Sequence, residues 1–214
     1  GCWHVPNRFF EEMRNAGIEV RSFLKVRFPL FTSRVNYRNH RKIVVIDGRI
    51  GFVGGMNLAE RYMRGFSWGI WRDTHILIEG KAVHGLQTAF LLDWYFVDRT
   101  LITASRYFPK IESCGSSLVQ VVTSEPIGPW KEIMQGLTMA INGAKKYFYM
   151  QTPYFLPTEQ VLAAMQTAAL AGVDVRLMLP ERADNRITHL GSHSYLADVM
   201  QAGVKVYYHS DRKS

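Results

Sequence analysis

A group of side chains between residues 40 and 57 has the chemistry to process a phosphate ester without a metal ion. The segment reads HRKIVVIDGRIGFVGGMN and carries an imidazole at His40, an ammonium at Lys42 and an amide at Asn57. A neutral imidazole can attack phosphorus and form a phosphohistidine, while Lys42 and Asn57 donate hydrogen bonds to the non-bridging oxygens where charge develops. The segment therefore predicts half of a phosphodiester-processing active site.

A β-hairpin is expected to position these groups. The runs Lys42 to Ile46 and Ile50 to Val53 are apolar strands, and Asp47-Gly48 between them is typical of a tight hairpin turn. His40 and Asn57 would then lie near the same end of the hairpin. Side chains two residues apart leave the same face of an extended strand, so His40 and Lys42 are expected to point together.

The whole pattern resembles the signature of the phospholipase D superfamily, which is H-x-K, four residues, D, six residues, G-[GS]-x-N. The matching positions are His40, Lys42, Asp47, Gly54, Gly55 and Asn57. The resemblance implies that the His is the nucleophile, that the Lys and Asn bind phosphate, and that the Asp is mostly structural. The two glycines would let the backbone approach the phosphate closely.

A nucleophilic His also needs its second ring nitrogen held by an acceptor. The nearby acids are Asp47, Glu60 and Asp73. The superfamily places an orienting carboxylate downstream of the His at a separation like that of Asp73, so the resemblance favours Asp73 over Glu60. The candidate catalytic residues are therefore His40, Lys42, Asp47 and Asp73, and the candidate phosphate-binding residues are Lys42, Gly54, Gly55 and Asn57.

The fold class is predicted from a sequence pattern that occurs three times. Each copy has helix-like spacing of apolar residues, then a glycine that ends the helix, then β-branched residues that begin a strand. The glycines are Gly17, Gly172 and Gly203. Such units predict an α/β sandwich with a mixed central sheet, and the first of them predicts a helix at 7–16 and a strand at Ile18–Phe23. Further predicted elements are strands at Thr74–Glu79, Leu118–Val122 and Tyr147–Gln151, and helices at Lys81–Val97, about Trp130–Asn142 and from Thr158.

The first and last copies of this sequence pattern also match upstream of the glycine. Phe9, Phe10, Glu12 and Met13 correspond to Tyr195, Leu196, Asp198 and Val199. This indicates a duplicated domain, of which the chain holds an incomplete pair, with residues 1–112 from the first copy, residues 113–214 from the second and a link at 109–117. The second motif half is then expected beyond Ser214 in the same chain, or from a homodimer partner.

Composition limits the partners. The net charge of +8 favours anionic ligands, and the two cysteines form neither a disulfide framework nor a zinc set. His189 and His193 have the spacing of helical metal ligands but lack a third ligand, so no metal is expected. Arg34 and Arg38 are candidates for steering anionic headgroups, and Trp68 and Trp71 for contact with a membrane surface.

Several segments resemble bacterial cardiolipin synthases in particular. They are Gly55, Trp71-Arg72-Asp73-Thr74-His75, the run Gln151–Pro157 and the run Ala202–Tyr207. The resemblance implies transfer of a phosphatidyl group between two phosphatidylglycerol molecules, giving cardiolipin and glycerol through a phosphatidyl-histidine. It implies no cofactor and no nucleic-acid partner. It places the full-length protein at the bacterial cytoplasmic membrane, with this chain alone soluble or peripheral.

Two other functions fit the same motif. A phospholipase D-like hydrolase or nuclease would use the phosphohistidine chemistry with water as the acceptor. Alternatively, a chain with a single motif half could be an inactive fragment that only binds phosphate esters. The activities of the full-length protein on phosphatidylglycerol and on single-stranded DNA distinguish these functions.

Overall fold

A computed structural model describes residues 5–23, 39–65, 69, 72–112, 114–125, 128–182 and 186–210. They fall into two compact units, the first made of Gly1–Met56 and Thr74–Val121, the second of Asn57–Asp73 and Val122–Ser214. The first contains an antiparallel sheet and the second a parallel sheet, each of three strands. The predicted α/β class is confirmed.

Helices and strands alternate along much of the chain. In order they are α1 (Asn7–Asn15), β1 (Ile43–Ile46), β2 (Ile50–Gly54), α2 (Arg61–Arg64), β3 (His75–Glu79), α3 (Val83–Asp98), a short 3-10 helix (Ser105–Tyr107), α4 (Glu132–Gly143), β4 (Tyr147–Gln151), α5 (Glu159–Leu170), β5 (Asp174–Pro180), α6 (Arg186–Ser194), α7 (Leu196–Gln201) and β6 (Lys205–His209).

The predicted hairpin is the central feature of the first unit. In β1 and β2, Ile43 pairs with Val53 and Ile46 with Ile50. The turn between them has left-handed φ angles of 53° at Asp47 and 65° at Gly48. These angles match the right-handed twist of the flanking strands. We call the other end of the hairpin, opposite this turn, the open end.

Strand β3 adds to the same sheet on the far side of β2. Gly54 pairs with His75 and Ile50 with Glu79, antiparallel. Because neighbouring strands run in opposite directions, the start of β1, the end of β2 and the start of β3 all lie at the open end. Residues just outside these strand ends are therefore gathered at one edge of the sheet.

Helix α3 covers one face of this sheet. A β-carbon on Gly51 would lie 2.7 Å from a methyl carbon of Leu86, so the glycine lets the helix approach closely. Val83, Leu86 and Ala89 are buried along the helix. On the opposite face of the sheet, Val44 remains about half exposed. The hairpin thus has a helix-covered face and an open face.

The second unit is built on parallel pairing of β4 with β5 and of β5 with β6. Two of the repeated glycine stops precede its strands, since Gly172 (φ 88°) ends α5 before β5 and Gly203 (φ 99°) ends α7 before β6. Thr158 caps α5 by accepting a hydrogen bond from the Val161 N–H. The core packs between helices and sheet and contains Ile141, Phe155, Val161, Met165, Val175, Leu177, Leu179, Leu196 and Val199.

Two predicted strands are wrong. Residues 18–23 follow the Gly17 stop as predicted but form no strand. Arg21 ties this segment to α3 instead, because it pairs with Asp98 and lies over the ring of Trp94 at 5.2 Å. Hydrogen bonding to Asp98 raises the pKa of Arg21 and lowers that of Asp98. The segment is held by side chains and has no strand partner.

Residues 118–122 also form no strand. A β-carbon on Gly85 would lie 2.9 Å from a methyl carbon of Val121, so the segment packs across α3 where the helix has no side chain. Leu118 is fully exposed. The apolar β-branched run is typical of a strand, but its partner is a helix. Residues 109–117, predicted as a link, belong to the first unit, which continues to Val121.

A charged cluster connects all three strands of the parallel sheet. The Asp174 carboxylate accepts hydrogen bonds from Arg176 at 2.7 Å, from Lys205 at 2.8 Å and from the Tyr149 hydroxyl at 2.8 Å. These bonds, led by the one from Arg176, hold the pKa of Asp174 far below its ordinary value. The Tyr149 pKa is raised, chiefly because its hydroxyl donates to Asp174. Arg176 also lies 4.7 Å from the Tyr149 ring centroid.

Substitution of Gly54 by Ala is expected to destabilise the first unit. Its β-carbon would meet the Thr74 carbonyl oxygen and, at 2.6 Å, the Cα of His75, both of them backbone atoms. A loss of about 1–3 kcal/mol in the free energy of unfolding is expected from such overpacking. Gly136→Ala is the control, because this glycine lies inside α4 with open space around it, and there Ala is expected to stabilise by about 0.5–1 kcal/mol. Urea unfolding measures both, and equal stabilities for the two variants would contradict the prediction.

The Asp174 cluster predicts a pH dependence of stability. A carboxylate whose pKa is lower in the folded than in the unfolded state contributes stability above its unfolded pKa, about 3.9, and loses it as pH falls toward the folded pKa. Asp174→Asn should therefore lower the Tm of the chain at pH 7 and flatten its fall below about pH 4. Asp198→Asn, at an exposed position on α7, is the control. A wild-type acid profile in the Asp174 variant would be contrary to this.

Candidate active site

The structure brings His40 and Lys42 together at the open end of the hairpin. Both lie just before β1 begins at Ile43. The Lys42 Nζ lies 3.1 Å from the His40 Nδ1 and donates a hydrogen bond of 2.7 Å to the His40 carbonyl oxygen. Two of the predicted site residues therefore form one contact pair.

This contact favours one tautomer of a neutral ring. An ammonium group can only donate, so Nδ1 of a neutral His40 acts as the acceptor and the ring proton lies on Nε2. A nitrogen that carries its proton has no lone pair for attack. Nucleophilic attack through Nε2 thus requires Lys42 to leave Nδ1 and the ring proton to move there.

Asp47 is not placed with this pair. It lies in the turn, five residues beyond Lys42, and an extended chain rises about 3.3 Å per residue, so the two are separated by roughly 15 Å. The next residue, Gly48, is buried against Pro109 and Tyr107, where a β-carbon would clash. Asp47 thus lies in the turn, away from the open end, and its inclusion among the catalytic residues stays a prediction.

Gly54 and Gly55 have structural roles in the sheet, and the predicted approach of a phosphate to them stays a prediction. The space of a Gly54 side chain is filled by the backbone entering β3 and by the ring of His75. The Gly55 N–H donates to the Thr74 carbonyl at 3.0 Å. Close packing of β3 against β2 therefore requires Gly54, and the backbone donor of Gly55 is used inside the protein.

Asn57, Glu60 and Asp73 belong to the second unit. The Asn57 amide donates to the Tyr62 hydroxyl at 3.0 Å, and Glu60 pairs with Arg64 at 2.9 Å. Asp73 is exposed and directly precedes Thr74, whose carbonyl lies at the open end of the first unit's sheet. The roles of Asn57 and Asp73 beside His40 remain predictions.

Asp93 is a residue that sequence reasoning missed. This carboxylate of α3 accepts a hydrogen bond of 2.7 Å from the Asn39 amide and is paired with the Arg41 guanidinium, on either side of His40. Its position seven residues after the buried Leu86 places both on one face of α3. The signal in the sequence that could have pointed to Asp93 is a charged residue on the apolar face of a helix.

The other candidates contribute less. Arg34, Arg38, Trp68 and Trp71 lie outside the described residues. His193 contacts the His189 carbonyl at 2.9 Å and the Tyr208 hydroxyl at 3.2 Å. Across the described ranges, no cluster of three or more His, Cys, Asp or Glu side chains is arranged to hold a metal. No helix within those ranges has the length and hydropathy needed to cross a bilayer.

Comparison with known proteins shows which family the chain resembles. Residues 137–214 match the family model described as "Cardiolipin synthase, PLD-like domain". Together with the His40 to Asn57 motif, this match supports the resemblance to the phospholipase D superfamily. A solved polyphosphate kinase from Porphyromonas gingivalis covers 36% of the chain, and the chain covers 11% of it, with a TM-score of 0.27 and 12% identity, too little to bear on fold or function.

Among curated proteins the chain is similar to cardiolipin synthases. It is 42% identical over 210 residues to the "Cardiolipin synthase" of Geobacillus thermodenitrificans. This alignment covers 97% of this chain and 42% of that protein. It is 39% identical over 214 residues to the one of Listeria innocua, 99% of this chain and 44% of that protein. The chain thus spans less than half the length of these curated relatives.

Lys42→Gln is expected to weaken the binding of inorganic phosphate to the chain about tenfold, because a charge-assisted hydrogen bond is replaced by a neutral one. Lys81→Gln removes the same charge from the same unit at an exposed position before α3 and is the matched control. Phosphate titrations followed by NMR give both affinities. The same affinity for the two variants would mean that Lys42 does not hold the phosphate.

Proposed function

We propose that the full-length protein transfers a phosphatidyl group from one phosphatidylglycerol to another, giving cardiolipin and glycerol. The observation that carries the proposal is the His40–Lys42 pair, which combines a nucleophile and a phosphate-binding cation within 3.1 Å at an exposed edge of the sheet. The names of the relatives supply the substrate class, since both are called cardiolipin synthases. The motif alone would fit any phosphodiester.

In the first step of the proposed reaction, the phosphate diester of phosphatidylglycerol draws Lys42 away from the His40 ring. An anionic phosphate is a stronger acceptor for the ammonium than a neutral imidazole. The ring proton then moves to Nδ1, where a carboxylate holds it, and Nε2 gains the lone pair that attacks phosphorus. A P–N bond forms and the P–O bond to glycerol breaks.

The departing glycerol oxygen takes a proton from a general acid. We assign this acid to the imidazole of the second motif half, located in the rest of the full-length protein or in a partner chain. In the second step the same imidazole removes the proton from a hydroxyl of another phosphatidylglycerol. That oxygen attacks phosphorus, the P–N bond breaks, and His40 is restored with cardiolipin as the product.

Asp73 is the proposed partner of the Nδ1 proton. Its chain neighbour Thr74 pairs with Gly55 at the open end, and strands about 4.8 Å apart put the start of β3 roughly 10 Å from the start of β1. The Glu60 carboxylate is engaged by Arg64, which makes it the weaker candidate. Asn57 has a second amide hydrogen beyond the one given to Tyr62 and is proposed to donate it to the phosphate.

The proposed substrate sets the location. Phosphatidylglycerol is an anionic bilayer lipid, so the full-length protein is proposed to work at the surface of the bacterial cytoplasmic membrane. The net charge of +8 favours approach of this chain to such a surface. No nucleic-acid substrate and no cofactor enter the proposed reaction.

The proposal is tested with the purified full-length protein in vesicles of phosphatidylglycerol. Cardiolipin and glycerol should form in equal amounts, and chelation of divalent metals should leave the rate unchanged. Release of phosphatidic acid without cardiolipin would identify a hydrolase. Cleavage of single-stranded DNA without lipid turnover would identify a nuclease, and binding of phosphate esters without any turnover would identify an inactive protein.

His40→Asn is expected to abolish the lipid-linked enzyme intermediate without unfolding the protein, because the amide cannot form the P–N bond. The measurement uses phosphatidylglycerol with a labelled acyl chain, followed by denaturation and detection of label on the protein. His84→Asn, within α3 of the same unit, is the control that should label normally. Persistent labelling of the His40 variant would assign the nucleophile to the other motif half.

A further inference from the structure

We propose that Asp93 is a positioning residue that holds the His40 segment in place for the reaction. The proposal rests on the proposed function at His40 and adds a residue that the superfamily pattern does not contain. Asp93 lies on α3, more than fifty residues along the chain from His40. It acts through its neighbours and does not itself contact the phosphate.

The segment that carries His40 is not held by the sheet. Residues 39–42 precede β1, whose pairing with β2 begins at Ile43 and Val53. The ladder of backbone hydrogen bonds therefore does not fix the backbone at His40. Some other contact has to do so if the imidazole is to meet a phosphate at a fixed distance, because misplacement by about 1 Å can cost on the order of a hundredfold in rate.

The residues on either side of His40 supply that contact. The Asn39 amide donates to one oxygen of Asp93 at 2.7 Å, and the Arg41 guanidinium donates to the other oxygen. The Asn39 side-chain oxygen also accepts the Arg41 backbone N–H at 2.8 Å, which closes the group. Both carboxylate oxygens are thus used, and each holds a residue adjacent to His40.

Burial makes this pairing stronger than an ordinary surface ion pair. The side chains of Arg41 and Asp93 are only 25% and 20% exposed. Exposed pairs contribute little because water screens them, whereas partly buried pairs are screened less and cost more when one partner is lost. The Arg8–Glu12 pair on α1, with side chains 86% and 58% exposed, is the contrasting case in the same unit.

The side chains of residues 39–42 alternate in direction, as they do along any extended chain. Odd-numbered Asn39 and Arg41 point toward α3, and even-numbered His40 and Lys42 contact each other. The same parity continues into the sheet, where Val45 lies opposite Gly51 on the face that α3 covers. Helix α3 is therefore the fixed element, and Asp93 holds the segment that carries the imidazole against it.

The test compares Asp93→Asn with Asp98→Asn. Asp98 is the matched control, because it lies on the same helix and pairs with Arg21, away from the His40 segment. The first readout is the long-range proton–nitrogen NMR spectrum of the His40 ring in the 214-residue chain across a pH titration, with histidines labelled. The second is kcat and KM for phosphatidylglycerol in the full-length protein.

Asp93→Asn is expected to change the tautomer signal and titration midpoint of His40 and to lower kcat at least tenfold with KM within about twofold. Asp98→Asn should leave the His40 spectrum and kcat as in the wild type, while lowering the Tm by about as much as Asp93→Asn does. Asp93→Glu should restore part of the His40 signal. An unchanged His40 spectrum in Asp93→Asn would overturn the proposal.

Two further outcomes are separated by design. If the wild-type protein makes no cardiolipin, the proposed function fails, and the His40 spectra still decide whether Asp93 positions the ring. If Asp93→Asn does not fold, Arg41→Gln combined with Asp93→Asn removes both charges, so that neither is left unpaired in a partly buried site. A wild-type His40 spectrum in that double variant would equally overturn the proposal.

Discussion

The antiparallel ladder between β1 and β2 decides which side chains of the hairpin strands face helix α3 and which face away from it. Ile43 opposite Val53 and Ile46 opposite Ile50 leave one possible register, with the turn at one end and the strand termini at the other. A shift by a single residue would exchange the two faces of the hairpin. The helix-covered face would then receive His40 and Lys42, and the pair would be lost.

Lys42, which lies just before this ladder, would have two competing partners once a phosphate is bound. In the structure its ammonium contacts the His40 ring and bonds to the His40 carbonyl oxygen, an arrangement that favours the ring proton on Nε2 when the ring is neutral. A phosphate at the open end would compete for that ammonium and so change the state of the ring. In the proposed reaction, substrate binding and activation of the nucleophile would thereby be coupled through one side chain.

Local features of the sequence were sufficient to predict much of the fold. The Asp47-Gly48 turn and the glycine stops at Gly172 and Gly203 follow from the conformational preferences of those residues alone. The strands predicted at 18–23 and 118–122 failed because an apolar β-branched run does not say what it will pack against, and the partner is α3 in both cases. Asp93 was missed for a related reason, since its partners are remote in the chain and periodicity marks it only as an exception.

The first unit joins the His40–Lys42 pair and its anchors within one hairpin and one helix, and this has a consequence for protein design. An artificial version of the pair requires a two-stranded hairpin, a helix across one face and a carboxylate on that helix at the level of the strand start. Copying His-x-Lys onto an isolated hairpin would supply the functional groups without the helix that fixes their backbone. The portable unit therefore consists of residues 39–56 and 74–98, and the short motif is only a part of it.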